Sequence, residues 1–188
     1  MFPVNAPNVL TVLRILLVPV LVVALLGGTK HGDLLAAGVF AAASLTDLLD
    51  GYLARSRDSV TTFGKLMDPV ADKLLIIAAL VSLVSLNRLA AWVAMVIIAR
   101  ELAVTVLRAA ASGQGVVIAA SPLGKLKTMV QVAMVFALIA VPGHPAWVQA
   151  LIYLTVAVTL VSGADYLLGL RRRLEEAASR RAAKSEAP

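Results

Sequence analysis

The sequence predicts an all-α integral membrane protein, a bundle of about six transmembrane helices with a polar cavity that faces the cytoplasm. Hydrophobic residues make up 60% of the 188-residue chain, and its mean hydropathy is +0.91. Soluble domains are usually about 45–50% apolar. The absence of cysteine excludes a disulfide framework, a thiolate metal site and a cysteine nucleophile.

Long apolar runs also predict membrane-spanning helices, because a helix that crosses a bilayer needs roughly 20 mostly apolar residues. Residues that interrupt helices separate the runs, as at Gly27-Gly28 and at Asn87-Arg88. The predicted spans are residues 9–27, 34–54, 66–86, 89–110, 124–142 and 147–169. Arg14 is the first basic residue, so the start lacks the basic region of a secretory signal peptide and we expect no cleavage.

The basic residues predict the orientation of the spans, because Lys and Arg concentrate in cytoplasmic connections. One side holds only Lys30 and Arg88. The other side holds Arg55, Arg57, Lys65, Lys73, Arg100, Arg108, Lys125 and Lys127, and the C-terminal end adds Arg171, Arg172, Arg173, Arg180, Arg181 and Lys184. We therefore expect a multi-pass protein of the inner (plasma) membrane with both termini in the cytoplasm.

Residues 1–170 are predicted to form one membrane domain. Residues 171–188 would be a basic cytoplasmic tail, either disordered or a helical extension. Arginines next to the last span are typical of anchoring to anionic lipid. Because this placement accounts for the net charge of +6, we expect no nucleic-acid partner.

Four aspartates lie near the predicted cytoplasmic face of the second and third spans. Asp47 and Asp50 are three residues apart, and Asp68 and Asp72 are four apart, so each pair shares a helix face. A carboxylate inside a bilayer is costly and usually functional, and oxygen ligands suit Mg²⁺, Mn²⁺ or Ca²⁺. If the pairs face each other, they could chelate one or two cations. Two ions about 3.5–4 Å apart can hold both the attacking and the leaving oxygen of a phosphoryl displacement.

Small residues accompany these acids. Gly51 and Ala54 continue the face of the first pair, and Gly64 lies about one turn before Asp68. Such residues let another helix or a flat ligand approach the backbone closely. In the structural alternative, the aspartates are helix-end charges paired with nearby basic residues: Arg55, Arg57, Lys65 and Lys73. The spacing of all four acids favours the metal site.

The pattern D-x2-D-G-x2-A-R-x8-G-x3-D-x3-D over residues 47–72 resembles the signature of the CDP-alcohol phosphotransferases at every signature position. The resemblance implies a membrane enzyme with a six-helix core. It also implies two Mg²⁺ or Mn²⁺ ions per active site and transfer of a substituted phosphate from a CDP-linked donor to an alcohol, with release of CMP. A homodimer is implied in the same way.

The resemblance also implies roles for the matched positions. Asp72 would both ligate metal and act as the general base on the acceptor hydroxyl. The other metal ligands would be Asp47, Asp50 and Asp68. The donor nucleotide would be held by Arg55, with space for the cytidine left by Gly51, Ala54 and Gly64.

A basic pocket is predicted at the depth of the aspartates. Its candidates near the start of the first helix are Asn8, Thr11 and Arg14; in the fourth span they are Arg100, Glu101, Thr105 and Arg108; in the fifth they are Lys125, Lys127 and Thr128. Arg and Lys are the usual holders of phosphate. Asn8 could equally be a helix cap or a contact to the nucleotide of the donor.

Purely structural roles are the alternative for several of the pocket residues. Lys125 and Lys127 could be ordinary positive-inside anchors. Arg100 and Glu101 could form a structural ion pair, and Thr11 and Arg14 could close the helix bundle.

These motifs resemble the phosphatidylglycerophosphate synthase branch of the family, which implies CDP-diacylglycerol as donor and glycerol 3-phosphate as acceptor. The alternatives within the family are inositol phosphate, or phosphatidylglycerol as in a cardiolipin synthase. A divalent-cation transporter is a remote alternative, because it needs a continuous polar route and the acids are confined to one face.

Overall fold

A computed structural model of the protein describes the backbone of residues 6–57, 62–113, 121–141, 143 and 145–185. Side chains are described for residues 9–46, 70–71, 73–113, 121–141, 143, 145–175 and 179. The described chain forms six α-helices and no strand: α1 (Ala6–Leu26), α2 (Gly32–Arg57), α3 (Thr62–Ser85), α4 (Ala91–Gly113), α5 (Pro122–Ala140) and α6 (Ala146–Ser185).

Each predicted span corresponds to one helix, which confirms the all-α class. Apart from the C-terminal end of α6, the predicted bounds differ from the observed ones by at most four residues. Helix α6 continues past residue 170, so the described part of the basic tail is a helical extension. At 40 residues and 1.5 Å per residue, α6 is roughly 60 Å long.

Local sequence explains where helices begin. Ser121 caps α5, because its side-chain oxygen accepts a hydrogen bond from the Gly124 amide at 3.1 Å. Pro122 follows at the first helical position, where a missing N–H leaves no helical bond unmade. The cap fixes the start of the helix that carries Lys127.

The helices pack around one main apolar core. Helix α1 contacts α2 and α3, α5 contacts α2, α3 and α6, and α4 contacts α3 and α6. Fully buried side chains from several helices fill the centre: Leu21, Phe40, Leu80, Ile97, Met134 and Leu138. A smaller cluster joins α4 to α6 through Val104, Ala111, Tyr166 and Leu170.

The outside of the bundle is also apolar. Every helix exposes large aliphatic side chains, including Val23 at 69%, Leu34 at 75% and Met129 at 68% of their surface. Many exposed large apolar side chains on every helix are typical of an interface with membrane or protein. Together with the apolar composition, they identify the chain as a membrane protein.

Three helices are long and apolar enough to cross a bilayer, within the part of the chain that the structure describes: Val9–Leu26, Pro122–Ala140 and Ala146–Glu175. Shorter apolar stretches occupy Gly32–Thr46 in α2 and Lys73–Ser85 in α3. In α4, the charges of Arg100, Glu101 and Arg108 interrupt the apolar run. Six crossings therefore stay a prediction.

The ends of the bundle differ in chemistry. At the end where α2 begins, Arg88 donates two hydrogen bonds to the carboxylate of Asp33, at 2.9 and 2.7 Å. Asn87 precedes it in the left-handed region with φ 56°, which asparagine tolerates better than most residues. This tight turn returns the chain from α3 into α4 and places Arg88 over the start of α2.

Candidate functional site

The signature aspartates are carried by the two helices that the sequence predicted. The backbone places Asp47 and Asp50 in the second half of α2, and Asp68 and Asp72 in the first half of α3. Their side chains lie outside the described residues, as do those of the predicted donor-binding residues: Asn8, Gly51, Ala54, Arg55 and Gly64.

Metal binding by these aspartates therefore stays a prediction. Among the residues that were described, no group of three His, Asp or Glu side chains could hold a metal ion. The donor set itself fits a hard divalent cation, because four carboxylates supply only oxygen ligands.

A cavity of about 790 Å³ lies between α2, α3, α4 and α5. Among the side chains that the structure describes, four charged ones line it: Lys73, Glu101, Arg108 and Lys127. These four are three cations and one carboxylate, with a formal charge of +2. Lys73 lies near the middle of α3, Glu101 near the middle of α4, Arg108 in the second half of α4 and Lys127 in the first third of α5. These positions are on the side of the bundle that carries the aspartates.

The rest of the cavity wall is largely apolar. Lining residues one or more turns further from that end include Phe40, Ile76, Ile97, Val132 and Phe136. A cavity with cations at one end and aliphatic and aromatic walls beyond suits an anionic group attached to, or lying beside, an apolar one.

Glu101 holds the positive end of the cavity together. Its Oε1 accepts hydrogen bonds from Lys127 Nζ of α5 and from Arg100 Nη1 of its own helix, the latter at 3.2 Å. The side chains of Lys127, Arg100 and Glu101 are only 4%, 15% and 17% exposed. One carboxylate thus offsets two largely buried cations, and the cluster keeps a net positive charge.

Arg100 extends this cluster to the last helix. Its Nη2 donates to Ser162 Oγ of α6 at 2.6 Å, while its Nε is buried with no hydrogen-bond partner among the described residues. Arg100 does not line the cavity. It therefore lies behind the wall and joins α4 to α6.

Arg108 occupies a different place on α4. It lines the cavity, and its guanidinium carbon lies 5.7 Å from the centre of the Tyr166 ring of α6. A cation at this distance over an aromatic ring is attracted to its face. The side chain is exposed, so the ring orients Arg108 while leaving its hydrogen-bond donors available.

The other predicted pocket residues are distributed unevenly. Thr128 lines the cavity, and its hydroxyl donates to the Gly124 carbonyl at 3.2 Å. Lys125 is exposed and does not line it. Thr11 and Arg14 are each 1% exposed within the bundle and do not line it either. The structure thus brings Arg108, Lys127 and Thr128 together at one cavity.

Sequence reasoning gave no site role to four residues found here. Lys73, Ser44 and Gln131 line the cavity, and Ser162 binds Arg100. The proximity of Lys73 to Asp72 in the chain was a signal for Lys73. Ser44, Gln131 and Ser162 carry no motif, since only the packing of α2, α5 and α6 gives them their neighbours.

Fold and site together define a class: a helical membrane protein whose cationic cavity opens beside an acid-bearing helix pair. The chain belongs to the CDP-alcohol phosphatidyltransferase family, whose model matches residues 4–161. The matched segment includes all four signature aspartates and the cavity-lining parts of α2 to α5.

Several curated proteins are similar to this chain over most of its length. A CDP-diacylglycerol–glycerol-3-phosphate 3-phosphatidyltransferase of Bacillus subtilis is 41% identical over 180 residues, covering 86% of this chain and 93% of the relative. A probable phosphatidylglycerophosphate synthase of Mycobacterium tuberculosis is 42% identical, covering 87% of this chain and 80% of the relative. A CDP-diacylglycerol–glycerol-3-phosphate 3-phosphatidyltransferase of Salmonella choleraesuis is 36% identical, covering 89% of this chain and 95% of the relative.

Proposed function

We propose that the protein transfers the phosphatidyl group from CDP-diacylglycerol to sn-glycerol 3-phosphate, giving phosphatidylglycerophosphate and CMP. The observation that carries this proposal is the 41% identity with the Bacillus subtilis enzyme over 93% of that enzyme's length. The cationic cavity beside the signature helices supports it, because both substrates are anionic and the donor is also a lipid.

Two Mg²⁺ or Mn²⁺ ions are the proposed cofactors, held by carboxylates of Asp47, Asp50, Asp68 and Asp72. When bound, such ions stabilise the negative charge that develops on the departing CMP. Asp72 would accept the proton of the acceptor hydroxyl. The hydroxyl oxygen would attack the phosphorus that bears diacylglycerol, and the bond from that phosphorus to the oxygen bridging it to CMP would break.

The acceptor phosphate is assigned to the cationic end of the cavity. Arg108 and Lys127 would supply charged donors there, with Thr128 on the same lining, and charge-assisted hydrogen bonds are the strong ones for phosphate. Arg100 and Glu101 would keep Lys127 in place. Thr11, Arg14 and Lys125 do not line this cavity, so any contact they make to the acceptor would lie elsewhere.

The donor nucleotide is assigned to the signature segment. Arg55 would bind the nucleotide, the small residues Gly51, Ala54 and Gly64 would give it room, and Asn8 would contact it from α1. The acyl chains of the donor would lie between helices, next to the exposed aliphatic surface.

We also propose that all six helices cross the inner membrane. Both termini, the aspartates and the cationic end of the cavity would face the cytoplasm, where water-soluble glycerol 3-phosphate is available. Residues 1–170 would form the membrane domain, and residues 171–188 a basic tail. A homodimer is proposed from the family resemblance.

The test is an acceptor assay on purified protein with CDP-diacylglycerol and Mg²⁺. CMP release is measured with glycerol 3-phosphate, inositol phosphate or phosphatidylglycerol, and the lipid product is identified. We expect phosphatidylglycerophosphate with the first acceptor and loss of activity in Asp72→Asn. Activity with inositol phosphate alone would overturn the acceptor, and cation transport without CMP release would overturn the enzyme class.

A further inference from the structure

Gln131 is a buried polar residue that the mechanism above does not use. It is 3% exposed and lines the cavity. Its side-chain Oε1 is buried and has no hydrogen-bond partner among the described residues. A buried polar atom left without a partner costs roughly 1–3 kcal/mol, so its presence in a cavity wall points to a ligand that completes the bond.

Gln131 is next to the proposed phosphate-binding residues. It follows Lys127 by four positions in α5, so both lie on one face of the helix about one turn apart. The phosphate would bind at Lys127, nearer the start of α5. Gln131 would then meet the part of the acceptor that is a few ångströms from its phosphate.

Ser44 provides a second unpartnered polar atom in the same cavity. It comes from α2, which packs against α5, and its Oγ is buried with no hydrogen-bond partner among the described residues. Ser44 precedes the signature Asp47 by three positions. An amide oxygen and a hydroxyl without partners therefore belong to two residues that line the same cavity as the cations, one on α5 and one on α2.

We propose that Gln131 and Ser44 bind the central hydroxyl of the acceptor and so select glycerol 3-phosphate over phosphorylated alcohols that lack this group. The inference rests on the proposed function. Gln131 Oε1 accepts a hydrogen bond from the central hydroxyl, and Ser44 Oγ donates a hydrogen bond to the oxygen of that hydroxyl. The central hydroxyl is three bonds from the phosphate-bearing oxygen, which matches a contact one helical turn from Lys127.

This pairing has a physical consequence for specificity. A site built to hydrogen-bond a hydroxyl rejects an analogue without it, because its buried polar groups then stay unpaired. Gln131 and Ser44 are thus specificity-determining residues, whereas the cations contribute affinity for any phosphate.

The test compares two acceptors in the CMP-release assay with CDP-diacylglycerol: glycerol 3-phosphate and 3-hydroxypropyl phosphate, which lacks only the central hydroxyl. Wild type should prefer glycerol 3-phosphate. We expect Gln131→Met to lower kcat/KM for glycerol 3-phosphate by roughly 10- to 100-fold and to leave that for 3-hydroxypropyl phosphate nearly unchanged. Ser44→Ala is a smaller change and serves as the second variant if Gln131→Met does not fold. It should also lower the ratio of kcat/KM for glycerol 3-phosphate to kcat/KM for 3-hydroxypropyl phosphate.

Thr159→Val is the matched control. Thr159 is fully buried in α6, its Oγ1 has no partner among the described residues, and it does not line the cavity. This variant should keep the wild-type preference.

The outcomes distinguish a failure of the proposed function from a failure of the hydroxyl assignment. If wild type releases no CMP with any acceptor, the proposed function fails. If wild type is active but Gln131→Met and Ser44→Ala lower kcat/KM equally for both acceptors, the hydroxyl assignment alone fails. A rise in the KM for CDP-diacylglycerol at unchanged acceptor preference would also overturn it, because the pair would then bind the donor.

Discussion

Arg88 grips Asp33 through both of its terminal nitrogens, at 2.9 and 2.7 Å, although the two residues are 55 positions apart in the chain. The pair ties the turn between α3 and α4 to the first turn of α2. It lies at the end of the helices remote from the cavity cations. Its contribution should therefore be to stability rather than to substrate binding.

Arg88→Leu is expected to lower the free energy of unfolding by about 1 kcal/mol, because a bidentate arginine–carboxylate pair is worth more than a simple surface pair. The side chains are 26% and 46% exposed, which keeps the effect small. Thermal unfolding in detergent measures it. In a double-mutant cycle with Asp33→Asn, fully additive effects would show that the pair contributes nothing.

Glu101→Gln is expected to destabilise the protein by about 3 kcal/mol, because it leaves Lys127 and Arg100 buried without their carboxylate. The unfolding midpoint of detergent-solubilised protein is the readout. The matched variant Glu101→Gln/Lys127→Met removes one of the two cations and should recover part of the loss. A double variant no more stable than Glu101→Gln would contradict the ion-pair explanation.

Arg108→Gln should raise the KM for glycerol 3-phosphate by roughly 10- to 100-fold, since it removes a charge-assisted contact to the acceptor phosphate. Lys125→Gln is the comparison, because Lys125 has the same charge nearby but does not line the cavity. Steady-state kinetics at saturating CDP-diacylglycerol should show a change below about 2-fold for Lys125→Gln. Equal effects of both variants would indicate a general electrostatic role rather than a binding contact.

Asp72→Asn should reduce kcat for CMP release by roughly 10²- to 10⁴-fold, the range for loss of a general base. Asp33→Asn, which changes an aspartate at the opposite end of the bundle, should keep its kcat. Removal of divalent ions with a chelator should silence wild type, and added Mg²⁺ should restore it. Full activity in the chelated enzyme would refute the proposed metal dependence.

The absence of cysteine allows a direct test of orientation with single-cysteine variants. Ser179→Cys in the tail should react with a membrane-impermeant maleimide in inside-out vesicles and be protected in right-side-out vesicles. Thr29→Cys, between α1 and α2, should show the reverse pattern. Labelling of both from the same side would rule out an odd number of crossings between them, and with it the six-span arrangement.

The sequence alone predicted the helices well, because long apolar runs broken by glycine, proline and polar residues leave few other choices. The sequence left the extent of α6 open between disorder and a helical extension, since a polar, charged stretch such as Arg171–Glu175 can be helix or solvated coil. There an exposed ion pair with a 2.8 Å contact, spaced i,i+4, supports the helix.

The site was predictable only in part. The aspartate signature is local in sequence, so its spacing was visible at once. The contacts of Glu101 with Lys127, 26 positions away, and of Arg100 with Ser162, 62 positions away, depend on how α4, α5 and α6 pack. No sequence pattern predicts that the side-chain oxygens of Gln131 and Ser44 lack a hydrogen-bond partner, because this depends on how the helices pack.

The last helix is roughly 60 Å long, about twice the thickness of the hydrocarbon core. Since α6 packs on α4 and α5, a slight tilt of its membrane portion would be magnified at the distal tip, as at the end of a lever. A spin label on that tip would turn small angular rearrangements around the cavity into large, easily measured displacements.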